Sequence, residues 1–148
     1  MLNRRELVLG GLGLGALFSL PGLALAQEDN GTMARIKAFA EGKTPQDGRI
    51  KLTMPEIAEN GNTVPLGIEV DSPMTAEDHV KEVLVLASGN PSPDVAHYHF
   101  MPASGVARAD TRMRLAQTQD VIALAKMSDG SVWQTRTTVK VTIGGCGG

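Results

Sequence analysis

The 148-residue chain has one cysteine, and glycine pairs bracket it on both sides. Cys146 sits in Gly144-Gly145-Cys146-Gly147-Gly148, directly after the alternating run Val139-Lys140-Val141-Thr142-Ile143. That alternation predicts a strand ending at Ile143, beyond which the thiol is the only side chain. Glycine has the widest backbone freedom of any residue, so Gly144 and Gly145 read as a hinge that no packing holds. Gly147 and Gly148 keep the far side of the thiol slim. Three extended residues carry the sulfur roughly 10 Å past the strand, a reach suited to a narrow pocket in another protein. A catalytic thiol needs a base, a cation or a helix N-terminus beside it, and Cys146 has none in sequence. The pattern is that of a tether to be acted upon by other enzymes.

Two other groups could do chemistry. In His97-Tyr98-His99-Phe100-Met101, a strand would put His97, His99 and Met101 on one face and Ala96, Tyr98 and Phe100 on the other. Two imidazoles and a thioether could hold copper. The simpler reading has the aromatic face in the core and the histidine face in solvent. His79 stands apart in a charged stretch. Arg108, Arg112 and Arg114 lie close together on a strand region, either as a solvated sheet face or as a docking surface for other proteins or for anions. Ser, His and Asp occur without a nucleophile-elbow pattern, which argues against an independent hydrolase.

Composition narrows the classes further. The chain is 42% apolar with a net charge of −2, so it lacks the basic excess of a nucleic-acid binder. With 3% aromatic residues it has few stacking platforms for bases or sugars, and one cysteine excludes a disulfide-stapled miniprotein. Residues 1–26 read as an export signal: Arg4-Arg5, an uncharged run from Leu7, and Ala24-Leu25-Ala26 as a cleavage site. A membrane anchor would need about 20 strongly apolar residues, whereas Gly10, Gly11, Gly13, Gly15, Pro21 and Gly22 dilute this run. The arginine pair before a weakly apolar, glycine-rich stretch resembles a twin-arginine (Tat) signal, with Leu7 where that motif often has Phe. The expected location is the periplasm, with no membrane attachment once the signal is cut. An incidental exposed thiol in an oxidising space invites stray disulfides, so its presence there points to use rather than to a frayed end.

The remaining residues must position the thiol. Thr32 can cap a short helix with Met33, Ile36 and Phe39 or Ala40 on one face, stopping near Gly42. Strands are expected at Ile50–Met54, Val64–Val70, Val83–Ala87, Val95–Met101, Thr111–Ala116, Val121–Ala125 and Val139–Ile143. Pro65 marks an edge position or a strand start. Asp120–Met127 has helix formers, yet Asp129-Gly130 and the pattern beyond favour a hairpin. The fold class is all-β: an immunoglobulin-like antiparallel β-sandwich with a short N-terminal helix and a flexible C-terminal tail. The segments are 1–26 (signal), 27–47 (helical), 48–143 (sandwich) and 144–148 (arm). Val83–Ala87 and Val121–Ala125 are apolar on both faces. Each therefore needs a second cover, from the helix or from a partner subunit. An adhesive sandwich pairing through an edge strand would leave the tail unexplained.

The terminal Gly-Gly-Cys-Gly-Gly after Val-Lys-Val-Thr-Ile resembles the SoxY family, sulfur carriers of the periplasmic thiosulfate-oxidising (Sox) system. Pro55–Gly61 with Val64-Pro65, Val70–Met74, Asn90-Pro91, and Thr111–Ala116 with Thr118-Gln119 are similar to that family too. The resemblance implies a carrier, not an enzyme, with no cofactor. It makes Cys146 the covalent attachment point and Gly144, Gly145, Gly147 and Gly148 a swinging arm. It also implies a heterodimer with a SoxZ-like sandwich subunit. The implied transient clients are a c-type cytochrome, a sulfate-releasing hydrolase and, where present, a sulfane dehydrogenase.

Overall fold

Alternating side chains build two sheets that face each other across one core. A computed structural model describes residues 29–146, so the expected export signal and Gly147-Gly148 lie outside the described residues. The elements are α1 (Thr32–Ala40), β1 (Gln46–Asp47), β2 (Ile50–Thr53), β3 (Ile57–Asn60), β4 (Val64–Val70), β5 (Val80–Ala87), β6 (Asp94–His99), a 3-10 turn (Pro102–Ser104), β7 (Ala107–Met113), β8 (Gln119–Met127) and β9 (Val132–Ile143). One sheet runs β1-β9-β8-β5-β6, with β3 also on β9; the other is β2-β4-β7. The arrangement is an immunoglobulin-like sandwich with one short helix.

In β4, Val64, Leu66, Ile68 and Val70 are buried while Pro65 and Glu69 face out, the alternation of a sheet with one wet face. They meet Val83 and Val85 of β5, Val121, Ala123 and Ala125 of β8, and Val139 of β9. Pro65 lies near the strand start, where β2, paired only with Gly67–Val70, does not reach. Asp120–Met127 forms strand rather than helix, because both its faces are buried between neighbours.

The doubly apolar strands find their second cover within the chain. Leu84 and Leu86 of β5, Ile122 and Leu124 of β8, and Val132 of β9 pack under Phe39, Ala40 and Ile36 of α1. Burying side chains of this size contributes about 1.5–3 kcal/mol each. The helix start differs from expectation. Gly31 precedes it at φ 96°, and Thr32 is already helical. The Thr32 hydroxyl lies 2.5 Å from Asn30 Oδ1, while the Asp29 carboxylate accepts from the Met33 amide at 3.3 Å. Thr32 is inside the first turn and cannot cap it, and glycine at the cap position has no side chain to offer, so this outlying contact is the one side-chain acceptor for a first-turn amide among the described residues.

Two short strands were missed, and both run parallel where only antiparallel pairing was expected. β9 has twelve residues and β8 nine, and its other edge is covered in succession by β1 at Trp133-Gln134 and by β3 at Lys140–Ile143. β7 starts at Ala107 and stops at Met113, short of the expected Ala116, because the backbone of Leu115 and Ala116 is engaged elsewhere. Among the described residues, no helix is long and apolar enough to cross a membrane.

Phe39→Ala should uncover the Leu84–Leu124 face and cost about 3 kcal/mol or more. Urea unfolding of the chain from Gln27 measures this; an unchanged midpoint would mean that α1 does not serve as the lid.

Candidate functional site

The root of the cysteine tail is seated against two loops by its backbone. Ile143 pairs with Asn60 of β3, and its carbonyl accepts from the Gly61 amide at 2.7 Å. The Leu115 amide donates to the Gly61 carbonyl at 2.8 Å, and the Leu115 carbonyl accepts from the Gly145 amide at 2.8 Å. One residue further on, the Cys146 amide donates to Asn62 Oδ1 at 3.1 Å. Asn62 is itself turned by its amide, which donates to Asn60 Oδ1 at 3.0 Å.

Only glycine fits this seat. A Cβ on Gly61 would collide with the Leu115 carbonyl, and one on Gly144 with the Ala116 carbonyl. A Cβ on Gly145 would lie 2.6 Å from the Gly61 oxygen. The expectation that no packing holds Gly144-Gly145 is therefore corrected: these glycines permit close backbone approach, and Gly145 is buried while Cys146 is exposed. Lifting Gly145 and Cys146 away breaks two hydrogen bonds worth about 0.5–1.5 kcal/mol net each. The seated form is then favoured by roughly one to two orders of magnitude, a margin small enough for release.

Asn90 holds the other side of the seat. It is 5% exposed, its Nδ2 donates to the Arg114 carbonyl at 2.9 Å, and its Oδ1 accepts from the Ala116 amide at 3.0 Å. Gln119 Nε2 donates to the same Oδ1 at 2.8 Å, and Asn30 Nδ2 donates to the Asn90 carbonyl at 2.7 Å. The clamp brackets Leu115, whose side chain is fully buried in the core. Gly61, Asn62, Asn90 and Leu115 had no expected role. Asn90, Gly61 and Leu115 lie in the stretches that carried the family resemblance, and the fold brings those stretches together at the tail root.

The thiol has no catalytic company. Among the described residues no histidine, carboxylate or cation hydrogen-bonds the Cys146 sulfur, and the cysteine is free. Arg108, Arg112 and Arg114 are all exposed, and the first two are engaged elsewhere. Arg108 pairs with Asp110 at 3.0 Å, and the bond to that carboxylate raises the guanidinium pKa above its ordinary value. Arg112 Nη1 reaches Thr63 at 3.4 Å. His79 uses Nδ1 on the Thr75 carbonyl at 2.9 Å, a loop contact.

The β6 residues sort by face as expected: Ala96, Tyr98 and Phe100 pack on the core, and His97 and His99 are on the exposed side. Met101 lies past the strand end and is 62% exposed. Glu82, which the sequence did not single out, brings a carboxylate oxygen within 4.8 Å of a ring nitrogen of His97 and of His99.

A family model described as sulfur oxidation protein SoxY matches residues 36–146, from within α1 to the cysteine. The chain belongs to the SoxY family. Among solved structures it is similar to the sulfur carrier protein SoxY of Chlorobium limicola f thiosulfatophilum, with 28% identity over 76% of this chain and 97% of that one and a TM-score of 0.62. Superoxide reductases share the fold alone. The neelaredoxin of Ignicoccus hospitalis is 16% identical, over 64% of this chain and 80% of its own, with a TM-score of 0.57. The superoxide reductase of Nanoarchaeum equitans is 14% identical, over 65% of this chain and 100% of its own, with a TM-score of 0.52. No curated protein matches. The SoxY match takes in Gly61, Asn90, Leu115 and Gly145, so the whole seat lies inside the family's span.

Gly61→Ala should unseat the tail. Hydrogen exchange at the Gly145 amide, read by NMR, should then accelerate at least tenfold while the β8 amides stay protected. Unchanged protection at Gly145 would show that the seat does not hold the tail.

Proposed function

We propose that the chain is a covalent carrier of sulfur intermediates in thiosulfate oxidation, with Cys146 as the attachment point and Gly144, Gly145, Gly147 and Gly148 as its arm. The observation that carries this reading is an exposed thiol just past β9, after a glycine-lined seat, with no side chain among the described residues hydrogen-bonded to its sulfur. Membership of a sulfur-oxidation family supports it, as does the likeness to a protein described as a sulfur carrier.

The chemistry is divided between the thiol and its clients. A c-type cytochrome removes two electrons as thiosulfate joins the thiol: Cys–SH and S2O3(2−) give Cys–S–S–SO3(−), one proton and two electrons. A hydrolase then adds water across the S–SO3 bond, giving Cys–S–S(−), sulfate and two protons. Where present, a sulfane dehydrogenase oxidises the remaining outer sulfur. The carrier's own contribution is presentation: the thiol stands clear of bulky neighbours, and release of Gly144-Gly145 from the seat lengthens its reach. No activating group on the carrier is needed, since each client brings its own.

The location proposed is the periplasm, reached through the Tat-type signal in residues 1–26, a route that can move a folded complex. The partner proposed is a SoxZ-like sandwich subunit. Since α1 already covers the outer face of β5 and β8, its foothold lies elsewhere. Ile57 and Ile143, 58% and 66% exposed, offer apolar surface beside the arm root.

Cys146→Ser should abolish thiosulfate-dependent electron transfer in the reconstituted pathway while leaving urea stability unchanged. Full activity in that variant would end the carrier reading. Native mass spectrometry after co-expression with the second subunit should give a 1:1 complex, and a stable monomer would remove the heterodimer.

A further inference from the structure

We propose that Glu82, His97 and His99 form a binding site for a divalent zinc-type ion on the outer face of the larger sheet, separate from the thiol. His97 and His99 are two apart on β6, so their side chains leave the same face. Register brings the third group. Glu82 of β5 is the direct cross-strand partner of His99, and His97 stands opposite Leu84. The three donors, one from each side chain, lie within 4.8 Å of one another.

The spacing suits a metal. Tetrahedral ligands bound at about 2.0–2.2 Å lie roughly 3.3–3.5 Å from each other. His97 Nε2 and Glu82 Oε2 are already 3.2 Å apart, and the rings of His97 and His99 have centroids 4.5 Å apart at 33°. His99 already has a ring nitrogen within 4.8 Å of both, and its exposed ring would have to turn to close the rest of that distance.

Glu82 and His97 are hydrogen-bonded to each other, a contact that a metal ion would replace, and the nearby lysine is engaged elsewhere. Lys126, which faces Glu82 from β8, is drawn to Glu41 at 3.2 Å and over the Phe39 ring at 4.9 Å. It therefore does not occupy the site's one carboxylate. The His97 ring stands edge-on to Phe39, centroids 6.1 Å apart, which limits its rotation. The side chains of Glu82 and His97 are 28% and 39% exposed, enough for an ion to enter and for a fourth position to stay open. Two imidazoles and a carboxylate favour Zn2+ or Cu2+ over Cu(I), which prefers sulfur ligands.

The test uses the untagged chain from Gln27 carrying Cys146→Ser, so that the thiol cannot bind metal. Isothermal titration with Zn2+ should give one equivalent, with affinity on the order of micromolar or tighter. His99→Gln and Glu82→Gln should each weaken it at least tenfold, and Co2+ should give a tetrahedral visible spectrum that both variants lose. Zn2+ should also raise Tm in the parent and not in His99→Gln, since a ligand of the folded state stabilises it. His99 is exposed, so loss of fold does not confound that variant. Absence of saturable binding at millimolar Zn2+, or binding that His99→Gln leaves untouched, overturns the proposal.

Discussion

Leu115 uses both of its backbone polar groups to tie the cysteine tail to the fold, its amide on Gly61 and its carbonyl on Gly145. Its side chain is fully buried in the sandwich core, so the seat is built on the core itself rather than on a loop tip. Asn90 fixes the peptides on either side. A buried amide that satisfies its donors and acceptors is strongly held, because any partner lost would leave a desolvated polar group. From this follow the early end of β7, the need for glycine at positions 61, 144 and 145, and the presentation of Cys146 at the surface.

The rest of the sandwich supplies rigidity. β9 is bordered by β8 along one edge and by β1 and β3 in turn along the other, so the strand that leads to the thiol is paired almost to its last residue. α1 closes the outer face of β5 and β8, and Asn30, just ahead of it, donates to the Asn90 carbonyl. The helix lid, the clamp and the tail root thus form one connected set of contacts. The result is a stiff body with an exposed thiol at one end.

Legibility followed the range of the signal. The alternation in β4 and the continuous apolar runs of β5 and β8 were local and readable, as was the helix stripe of Ile36, Phe39 and Ala40, although Met33, expected on the same face, is 61% exposed. Cys146 stood out because its glycines are its immediate neighbours. β1 and β3, two and four residues long, are too short to show a period, and their parallel pairing depends on the length of β9. The seat was hidden for a different reason. Gly61, Leu115 and Gly145 are far apart in sequence and meet through backbone atoms, which every residue carries. Glu82 was hidden as well, since only the β5–β6 register sets it beside the histidines.

The central claim is that Cys146 carries sulfur in covalent linkage. Intact mass spectrometry of the protein purified from its own host, before and after treatment with a reductant, tests it directly. The account predicts mass additions localised to the peptide containing Cys146 and removed by the reductant. An unmodified thiol in every preparation, including cells oxidising thiosulfate at the time of harvest, would contradict it.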